Sequence, residues 1–571
     1  MIRSMTKYSF ILLSGDQESF LTELQELGLM DITRSAKPVD GTSEQLLDKA
    51  LAFRRIIPDA REEVNSAAKR IADAEKEAAA LRPWGEFDPS SISAVEGCSF
   101  HWYTIPKKDF REEWKDLAAI EIVSEEGGKC YFVAILPDGE ENPIPVPEVR
   151  APQYSYRKVE ERIEVLKKEK EALEDKLSSL EGRSDEFESR YREAMADLDR
   201  YMAGVSAVPA AENTISTLVG YAPSDLDEKV TAFLDSSDVF YLKDAAQVRD
   251  NPPISLKNNK FVSMFETLTD MYGRPSYDGF DPTVFLSIFF LLFFALCMGD
   301  AGYGLVLIAV GFLLKKVESF RKTAPLVITL GVATLFVGFF MHTFFSIDIS
   351  QWKVFEPIKG IFLPAEIAGY DGAMVLSLLI GVIHLCLAMV VKTYISTRNN
   401  GFLESLGTWG WTLLIVGGVI VAGIALAGVI DAAATKWIII VLGIVSALGI
   451  FVFNNIHRNP LLNIGSGLWD TYNTATGLLG DVLSYLRLYA LGLAGAMLGF
   501  AFNDLGKMVL GDGSSIGGWI GFILIVIVGH TLNIAMCALG AFVHPLRLNF
   551  LEFFKNSGYE GSGRNYKPLE K

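Results

Sequence analysis

The chain has 571 residues; half of them are hydrophobic, 21% are charged, and the formal net charge is −17. This acidic balance argues against nucleic-acid binding, which needs a basic face. Charged residues concentrate in residues 1–280 and apolar residues in residues 283–550. The sequence therefore predicts a soluble domain joined to an integral membrane domain. The cysteines have neither metal-ligand nor disulfide spacing, so we expect no metal and no cofactor: Cys98, Cys130, Cys297, Cys386 and Cys537.

The soluble domain begins with a small α/β pattern. Strand-like residues 6–13 and 29–34 flank an amphipathic helix that ends at Gly28. Residues 205–250 are predicted to rejoin residues 1–40 in one proximal lobe, because a strand, a helix and another strand-like run occur there. Three further strand-like runs predict a separate distal lobe: 99–106, 119–124 and 130–136.

Long helices are predicted to link the proximal lobe to this distal α/β lobe at residues 84–150. Apolar residues recur at every seventh position across residues 156–202, which is typical of a coiled coil. The helical pattern of residues 44–82, interrupted by Pro58, is the predicted antiparallel partner. At 1.5 Å per residue the longer helix would extend about 65–70 Å. The soluble domain, residues 1–280, is therefore predicted to act as a strut.

Eight membrane-spanning helices are predicted within residues 281–555, followed by a tail at residues 556–571. They are expected at roughly 283–299, 301–317, 325–346, 374–395, 409–430, 436–455, 479–502 and 517–548. Lys and Arg concentrate in the loops after every second span, and the N-terminus has no signal-peptide pattern. We therefore expect a multi-pass protein of the cell membrane with its soluble domain and C-terminus in the cytoplasm. The predicted fold class is mixed: α/β lobes joined by an antiparallel helical coiled coil, then an all-α membrane domain.

Two arginines lie within apolar segments near the C-terminal end of the chain. A guanidinium at mid-bilayer costs roughly 2.5–3.5 kcal/mol on insertion scales, so each arginine is expected to face an anion or an aqueous cavity. Arg487 lies on a helix made slim by glycine and alanine, which lets another surface approach closely. Asp481, about a turn and a half earlier, is a candidate for an access route. The turn GDAGYG is expected to leave Asp300 facing water.

The last predicted span carries a row of polar residues that ends at the second arginine. Spacings of 3, 4, 3, 4 and 3 place six residues on one helix face: His530, Asn533, Cys537, Gly540, His544 and Arg547. Glu552 follows near the predicted cytoplasmic end. Such a row lines an ion path or supplies interhelical hydrogen bonds worth about 0.6 kcal/mol each. Two histidines, an asparagine and an arginine on one face favour the ion path.

These segments resemble a known family. SYLRLYALGLA around Arg487 and FVHPLRLNFLEFF around Arg547 are similar to the membrane stator subunit of rotary V-type ATPases, called I in prokaryotes and a in eukaryotes. GDAGYG, LRPWGEFDP, the stretch at 252–283 and GSGRNYKP near the C-terminus carry the same resemblance, which covers the whole chain. The short loops are more similar to the prokaryotic form.

The resemblance implies a role in coupled ion transport. The chain would form two offset half-channels beside a rotating proteolipid ring and connect the membrane motor to peripheral stalks. Its implied partners are that ring, the peripheral stalk subunits, the central-stalk connecting subunit and, through the stalks, the catalytic head. Arg487 would be the stator arginine that faces the ring carboxylate, and Arg547 the second essential arginine. His544 and Glu552 fall on polar positions of the same motif.

The chain itself is expected to be non-catalytic, because no GxxxxGK[ST] phosphate loop occurs in it. Neither the coupling ion, H⁺ or Na⁺, nor the direction, ATP synthesis or hydrolysis, follows from the sequence. Two positions depart from the family: Cys537 stands where glutamate is frequent, and Gly495 where eukaryotic relatives often have histidine. Asn533, His530, Asp481 or Asp300 are then expected to carry more of the ion path.

Two other functions are compatible with a membrane protein of this kind. One is a standalone ion-coupled secondary transporter with a cytoplasmic regulatory domain, and the other is a membrane-anchored scaffold without an ion path. Transporters of the first kind often show paired internal repeats, which we do not find, and the strut has no role in them. The polar row on the last span argues against the scaffold.

Overall fold

The computed structural model describes residues 1–570 except residues 36, 88–90, 93–94, 96, 141, 153, 238, 318–319, 352–359, 361, 365, 368, 454–459 and 512–514. The chain divides into two compact units. Unit 1 comprises Met1–Ile11, Leu29–Asp31 and Val219–Pro568, and unit 2 comprises Leu12–Gly28, Ile32–Leu218 and Leu569–Lys571.

Unit 2 contains the long helices. Helix α1 (Gln17–Leu27) ends at Gly28 as predicted, because Gly28 adopts the left-handed conformation, with φ of 65°, that closes a helix. Helix α2 (Gly41–Leu81) begins at a capping box formed by Asp40 and Ser43. It packs along α3 (Tyr156–Glu181) and α4 (Ser184–Val205).

The direction of this helix pair follows from its ion pairs. Arg61 contacts Glu181 at 2.6 Å, and Arg162 contacts Glu77 at 3.4 Å, so residues early in α2 meet residues late in α3. The helices are antiparallel, in agreement with the sequence pattern, and apolar residues fill the seam between them: Ile71, Ala74, Ala78, Leu81, Val159, Ile163 and Leu166. A coiled coil in the strict sense stays a prediction.

Two details of these helices differ from expectation. Pro58 does not interrupt α2, since the helix continues through it; Pro58 lies on the exposed side, where water can satisfy the carbonyl group that its missing N–H leaves unpaired. The heptad region is two helices rather than one, because the chain turns at Gly182 and Arg183. That turn is adjacent to Ser184, one of the positions where the apolar repeat lapses.

The predicted strands near residues 100–136 form an antiparallel three-stranded sheet in unit 2. Its order is β3-β5-β4, with β3 at Cys98–Pro106, β4 at Ala119–Glu126 and β5 at Lys129–Pro137. Tyr103 and Phe132 stack at 5.0 Å between ring centroids in its core.

A second sheet contains the N-terminal strand. Its order is β2-β7-β1-β8 with β6 beside β7, and β1 pairs antiparallel with β8 from Thr6↔Ala245 to Ile11↔Phe240. Helix α5 (Asp227–Leu234) begins beside it, where Asp227 accepts a hydrogen bond of 2.9 Å from the Tyr8 hydroxyl. The strands are β1 (Met5–Leu13), β2 (Asp31–Ile32), β6 (Val208–Ala210), β7 (Ile215–Pro223) and β8 (Phe240–Ala245).

The apolar half of the chain is helical and lies in unit 1. Among the described residues, five helical stretches are long and apolar enough to cross a membrane: Gly372–Asn400, Leu406–Leu426, Ala432–Val452, Asn463–Leu510 and Ile516–Ser557. We name the first three α11, α12 and α13. The fourth bends at Tyr485 into α14 (Pro460–Ser484) and α15 (Leu486–Leu510). The fifth contains α16 (Ile516–Arg547), a π-helical segment (Leu548–Phe553) and α17 (Phe554–Ser557).

Three shorter apolar helices occupy the first three predicted spans. They are α8 (Thr283–Met298), α9 (Ala301–Leu314) and α10 (Ala324–Phe340), preceded by the short helices α6 (Lys260–Ser263) and α7 (Glu266–Tyr272). With 14 to 17 residues, each of the three is shorter than the ~20 residues of a typical span. Hairpin strands β9 (Thr343–Phe344), β10 (Ile347–Asp348), β11 (Glu366–Ile367) and β12 (Tyr370–Asp371) follow α10.

The chain after α17 returns to residues that precede α8. Residues 559–567, here called the C-terminal strap, form backbone hydrogen bonds from Gly563 N to Arg274 O at 2.9 Å and from Ile254 N to Arg564 O at 2.6 Å. The Tyr566 hydroxyl donates to Leu29 O, and Asp31 accepts from Lys567 N. The strap therefore connects the end of the last helix to residues beside the N-terminal sheet of unit 1.

Candidate functional site

Arg487 lies immediately after the bend between α14 and α15. At this bend Leu488 N donates to Tyr485 O at 3.1 Å, a tighter turn than the α-helical pattern. Arg487 is half-buried, and its Nη1 is buried without a hydrogen-bond partner among the described residues. The neighbours along its outer face, Ala490 and Ala494, are small and exposed. The guanidinium thus lies at the edge of an outward face of α15 that carries small side chains.

Arg547 is the last residue of α16 and is exposed. It continues the outward apolar face of that helix, on which Leu539 is 68% and Val543 is 48% exposed. The polar row predicted on α16 therefore divides: His530 and Asn533 are buried, whereas Arg547 turns to the outer surface. Both arginines belong to outward faces of neighbouring, packed helices.

His544 and Glu552 lie close enough to both arginines to be within range of their charges. Both guanidinium charges act on each of these side chains. Glu552 is only 4% exposed, and its Oε2 has no hydrogen-bond partner among the described residues. It lies within the π-helical segment Leu548–Phe553, whose wider turn rotates the following side chains relative to α16. Arg487, His544, Arg547 and Glu552 together form what we call the arginine cluster.

A polar cavity of about 360 Å³ lies next to the arginine cluster. Asp481 is in its wall and accepts a hydrogen bond of 2.8 Å from Asn556 Nδ2, while Lys555 Nζ is 3.8 Å from its other oxygen. Asp481 also acts electrostatically on Glu552. The remaining wall is rich in hydroxyl, amide and charged groups, among them Lys392, Thr393, Thr408, Thr412, Asp470, Asn473 and Thr474. The cavity therefore brings a polar surface as far as Asp481, whose charge acts on Glu552.

A second polar group, here called the tyrosine network, lies nearer the N-terminal end of α16 than the arginine cluster does. The Tyr303 hydroxyl and His530 Nδ1 share a hydrogen bond of 2.8 Å, and His530 Nε2 bonds Asn503 Oδ1 at 3.0 Å. Asn533 Nδ2 donates to the Tyr303 hydroxyl at 2.7 Å and to Gly495 O at 2.8 Å. Cys537 Sγ donates to Asn533 Oδ1 at 3.3 Å and completes the chain of contacts.

Asp300 supports the tyrosine network and does not face water, so the sequence expectation for it is wrong. It is 4% exposed and caps α9 by accepting from Gly302 N and Tyr303 N. It also accepts from Phe345 N and Ser346 N. With four backbone donors around it, the carboxylate is a structural anchor for the turn after α10.

An apolar interval separates the two polar groups. Cys537 and His544 are seven positions apart on α16, or about 10 Å along the helix axis. The helix surface in between presents Gly540 to Leu491 of α15, at 3.8 Å for a Cβ on that glycine. No hydrogen bond between the described residues connects the tyrosine network to the arginine cluster.

The sequence missed two members of the network. Tyr303 belongs to the GDAGYG turn, for which the prediction concerned only Asp300. Asn503 lies one residue past the predicted end of its span. In each case the available signal was a polar residue in or next to an otherwise apolar helical segment. Among the described residues no group of three or more His, Cys, Asp or Glu side chains is arranged to hold a metal ion.

The chain is similar to subunits of V-type and A-type ATP synthases. Residues 149–355 match the model of the V-type ATPase 116kDa subunit family. The chain is 25% identical over 562 residues to the V-type ATP synthase subunit I 1 of Treponema pallidum, covering 92% of this chain and 87% of that protein. The chain is thus similar to this family over residues 149–355 and to this relative over most of its length.

Archaeal relatives are longer. The A-type ATP synthase subunit I of Methanocaldococcus jannaschii is 29% identical over 456 residues, which cover 73% of this chain and 64% of that protein. The subunit I of Pyrococcus horikoshii is 33% identical over 334 residues, 56% of this chain and 48% of the relative. The chain therefore spans about half to two thirds of these two proteins.

Proposed function

We propose that this chain is the membrane stator subunit of a V/A-type rotary ATPase. It does not act on ATP; it provides the ion path and resists rotation, while partner subunits make or hydrolyse ATP. The observation that carries this proposal is the pair of arginines, Arg487 and Arg547, on the outward apolar faces of two packed helices, with a polar group on each side. The named relatives are subunits of A-type and V-type ATP synthases, which supports the same assignment.

The outward faces of α15 and α16 fit a moving partner that is itself embedded in lipid. A proteolipid carboxylate stays neutral while it faces lipid, because burial disfavours the charged form. Beside Arg487 the same carboxylate ionises, since a fixed positive charge stabilises the anion. Arginine suits this task better than lysine because it does not lose its proton when desolvated.

Two half-channels would supply and remove the ion. The polar cavity at Asp481, with Glu552 and His544 beyond it, is the proposed cytoplasmic half-channel. The tyrosine network, through His530 and Asn533, is the proposed half-channel to the opposite side. The apolar interval between them, together with the two arginines, prevents a cation from passing straight through without riding on the ring.

The same proposal includes the topology. Helices α8, α9 and α10 are proposed as short spans that complete a set of eight, since a bilayer thins locally around short helices at modest cost. Basic residues after the second span, such as Lys315 and Arg321, support a topology with the soluble region and the C-terminus in the cytoplasm. There α2, α3 and α4 would form the coiled-coil strut that joins the peripheral stalks, and the central-stalk connecting subunit would dock nearby.

The test is replacement of Arg487 in the assembled complex. Arg487→Ala is expected to abolish ATP-driven ion transport into membrane vesicles, because the ring carboxylate would no longer ionise at the stator. Arg398→Ala is the matched control, since Arg398 is exposed at the end of α11. The proteolipid ring and the stalk subunits should co-purify with both variants. Transport at the wild-type rate by Arg487→Ala would refute the proposal.

A further inference from the structure

His384 lies in the middle of α11 and is fully buried. Its imidazole is sandwiched between two rings: Phe289 of α8 at 4.1 Å between centroids and Phe553 of the π-helical segment at 4.5 Å. The Phe553 ring is almost parallel to the imidazole, with an angle of 6° between the planes. The side chain thus touches two other parts of the membrane half through its faces alone.

The edge of the same imidazole is hydrogen-bonded to the bend before Arg487. His384 Nδ1 and the Tyr485 hydroxyl are 3.0 Å apart, and Tyr485 is fully buried. Gly381, one turn before His384, makes room for this tyrosine, because a Cβ at Gly381 would overlap the Tyr485 ring. The Tyr485 ring therefore packs against α11 in the space left by Gly381, and the hydrogen bond to His384 fixes its hydroxyl end.

Both contacts lead directly to the arginine cluster. Tyr485 is the residue at which α14 bends into α15, and Arg487 is on the next turn. Phe553 is the neighbour of Glu552 in the π-helical segment. One imidazole is consequently in contact with the two backbone segments that carry Arg487 and Glu552.

We propose that His384 is a positioning residue that sets the distance between the Arg487 guanidinium and the Glu552 carboxylate. It acts through Tyr485 on one side and through Phe553 on the other, and it touches neither group itself. The residue type fits this role because it combines a flat ring, which stacks on both faces, with a polar atom at the ring edge. Phenylalanine would keep the stacking and lose the hydrogen bond. This inference rests on the proposed function, in which Arg487 meets a charge on another chain.

The experiment compares His384→Phe and Tyr485→Phe in the whole complex. Each removes the His384–Tyr485 hydrogen bond; Tyr485→Phe deletes only the hydroxyl, whereas His384→Phe also introduces a larger ring. Tyr394→Phe, at an exposed tyrosine on the same helix, is the matched control. The measurement is the ratio of ATP-driven ion transport to ATP hydrolysis in reconstituted vesicles. Loss of one buried hydrogen bond predicts a fall of about tenfold in that ratio for both variants. The control should keep the wild-type ratio.

The double variant separates positioning from general stability. Both single changes remove the same bond, so His384→Phe combined with Tyr485→Phe should couple no worse than either alone. A wild-type ratio in Tyr485→Phe would overturn the proposal, including the case in which His384→Phe fails to assemble. Multiplicative losses in the double variant would overturn it as well. If Arg487→Ala transports ions normally, the proposed function fails; if only Tyr485→Phe does, this inference fails alone.

Discussion

Gly495 of α15 and Cys537 of α16 face each other so closely that a Cβ on Gly495 would lie 2.6 Å from the cysteine sulfur. The two residues are also the two departures from the family pattern, at positions far apart in the sequence. In the structure they lie next to each other, at the Cys537 end of the tyrosine network. The absence of a side chain at 495 is what leaves room for a thiol at 537, so the two departures are matched to each other.

Gly495→Ala is therefore expected to destabilise the membrane half by about 1–3 kcal/mol, because the new methyl group overpacks the α15–α16 contact. Adding Cys537→Ala removes the sulfur and should restore most of the loss. The measurement is the thermal unfolding midpoint of the detergent-solubilised complex. Gly443→Ala in α13 is the control, since a Cβ there meets nothing within 4 Å. Equal midpoints for the single and double variants would contradict the matched pair.

Asp300→Asn should be far more disruptive than its conservative appearance suggests. The carboxylate accepts hydrogen bonds from four backbone N–H groups, whereas an amide offers one oxygen and brings two donors of its own. A loss of about 1.5–3 kcal/mol is expected. Asp431→Asn is the comparison, because Asp431 caps α13 from an exposed position with a single side-chain bond to Ala432 N. Thermal unfolding of the two variants decides, and similar losses would argue against the anchor role of Asp300.

Gly563→Ala should release the C-terminal strap. A Cβ on Gly563 would overlap Pro275 O and lie 2.9 Å from Ile254 Cγ1, so the segment has to move away. Hydrogen exchange at the Ile254 amide, which donates to Arg564 O, is the direct readout and should become faster. Gly41→Ala at the start of α2 is the control, because nothing lies within 4 Å of its Cβ position. Unchanged protection at Ile254 would show that the strap tolerates the methyl group.

The pair Lys7–Asp250 makes stability depend on pH in a defined direction. Their hydrogen bond of 2.8 Å lowers the pKa of Asp250 and raises the pKa of Lys7. The contribution of Asp250 is present above its unfolded pKa, about 3.9, and is lost as the pH falls through the lower folded value. That of Lys7 is lost only as the pH rises through its raised value, above about 10.4.

Asp250→Asn should accordingly cost roughly 0.2–1 kcal/mol near neutral pH, the usual range for a pair near the surface. The difference in thermal unfolding midpoint between variant and wild type should shrink in acid, below the folded pKa of Asp250. It should also shrink at high salt, because such pairs are screened. A difference that stays constant from neutral to acid pH would assign the effect to packing instead.

Much of the candidate site followed from the sequence because the cost of a charge in an apolar helix is large. Arg487 and the row from His530 to His544 stood out on that ground alone. The orientation of Glu552 did not follow, because it lies in a π-helical segment, whose wider turn shifts side chains from the positions that a regular helix would give them. The exposure of Arg547 was not predicted either. Residue spacing assigns a side chain to a helix face, but it does not show whether the side chain lies at the buried centre or at the exposed edge of that face.

The soluble region was predictable where contacts are local or repeated. Gly28 ends α1 through its own backbone conformation, and the heptad pattern indicated the antiparallel pairing of α2 with α3. The contacts of Tyr303 and of the C-terminal strap join residues that are hundreds of positions apart. No periodic pattern in the sequence indicates such contacts. The segment GSGRNYKP could therefore be noted for its family resemblance, but the residues that it contacts could not be predicted.

The C-terminal strap has a consequence for how the protein is made. Its partners, among them Ile254 and Asp31, leave the ribosome before α8, whereas the strap itself follows α17. Every membrane helix is therefore synthesised between the two sides of this contact, and the contact forms last. This contact thus cannot form until the helices from α8 to α17 and the strap itself have been synthesised.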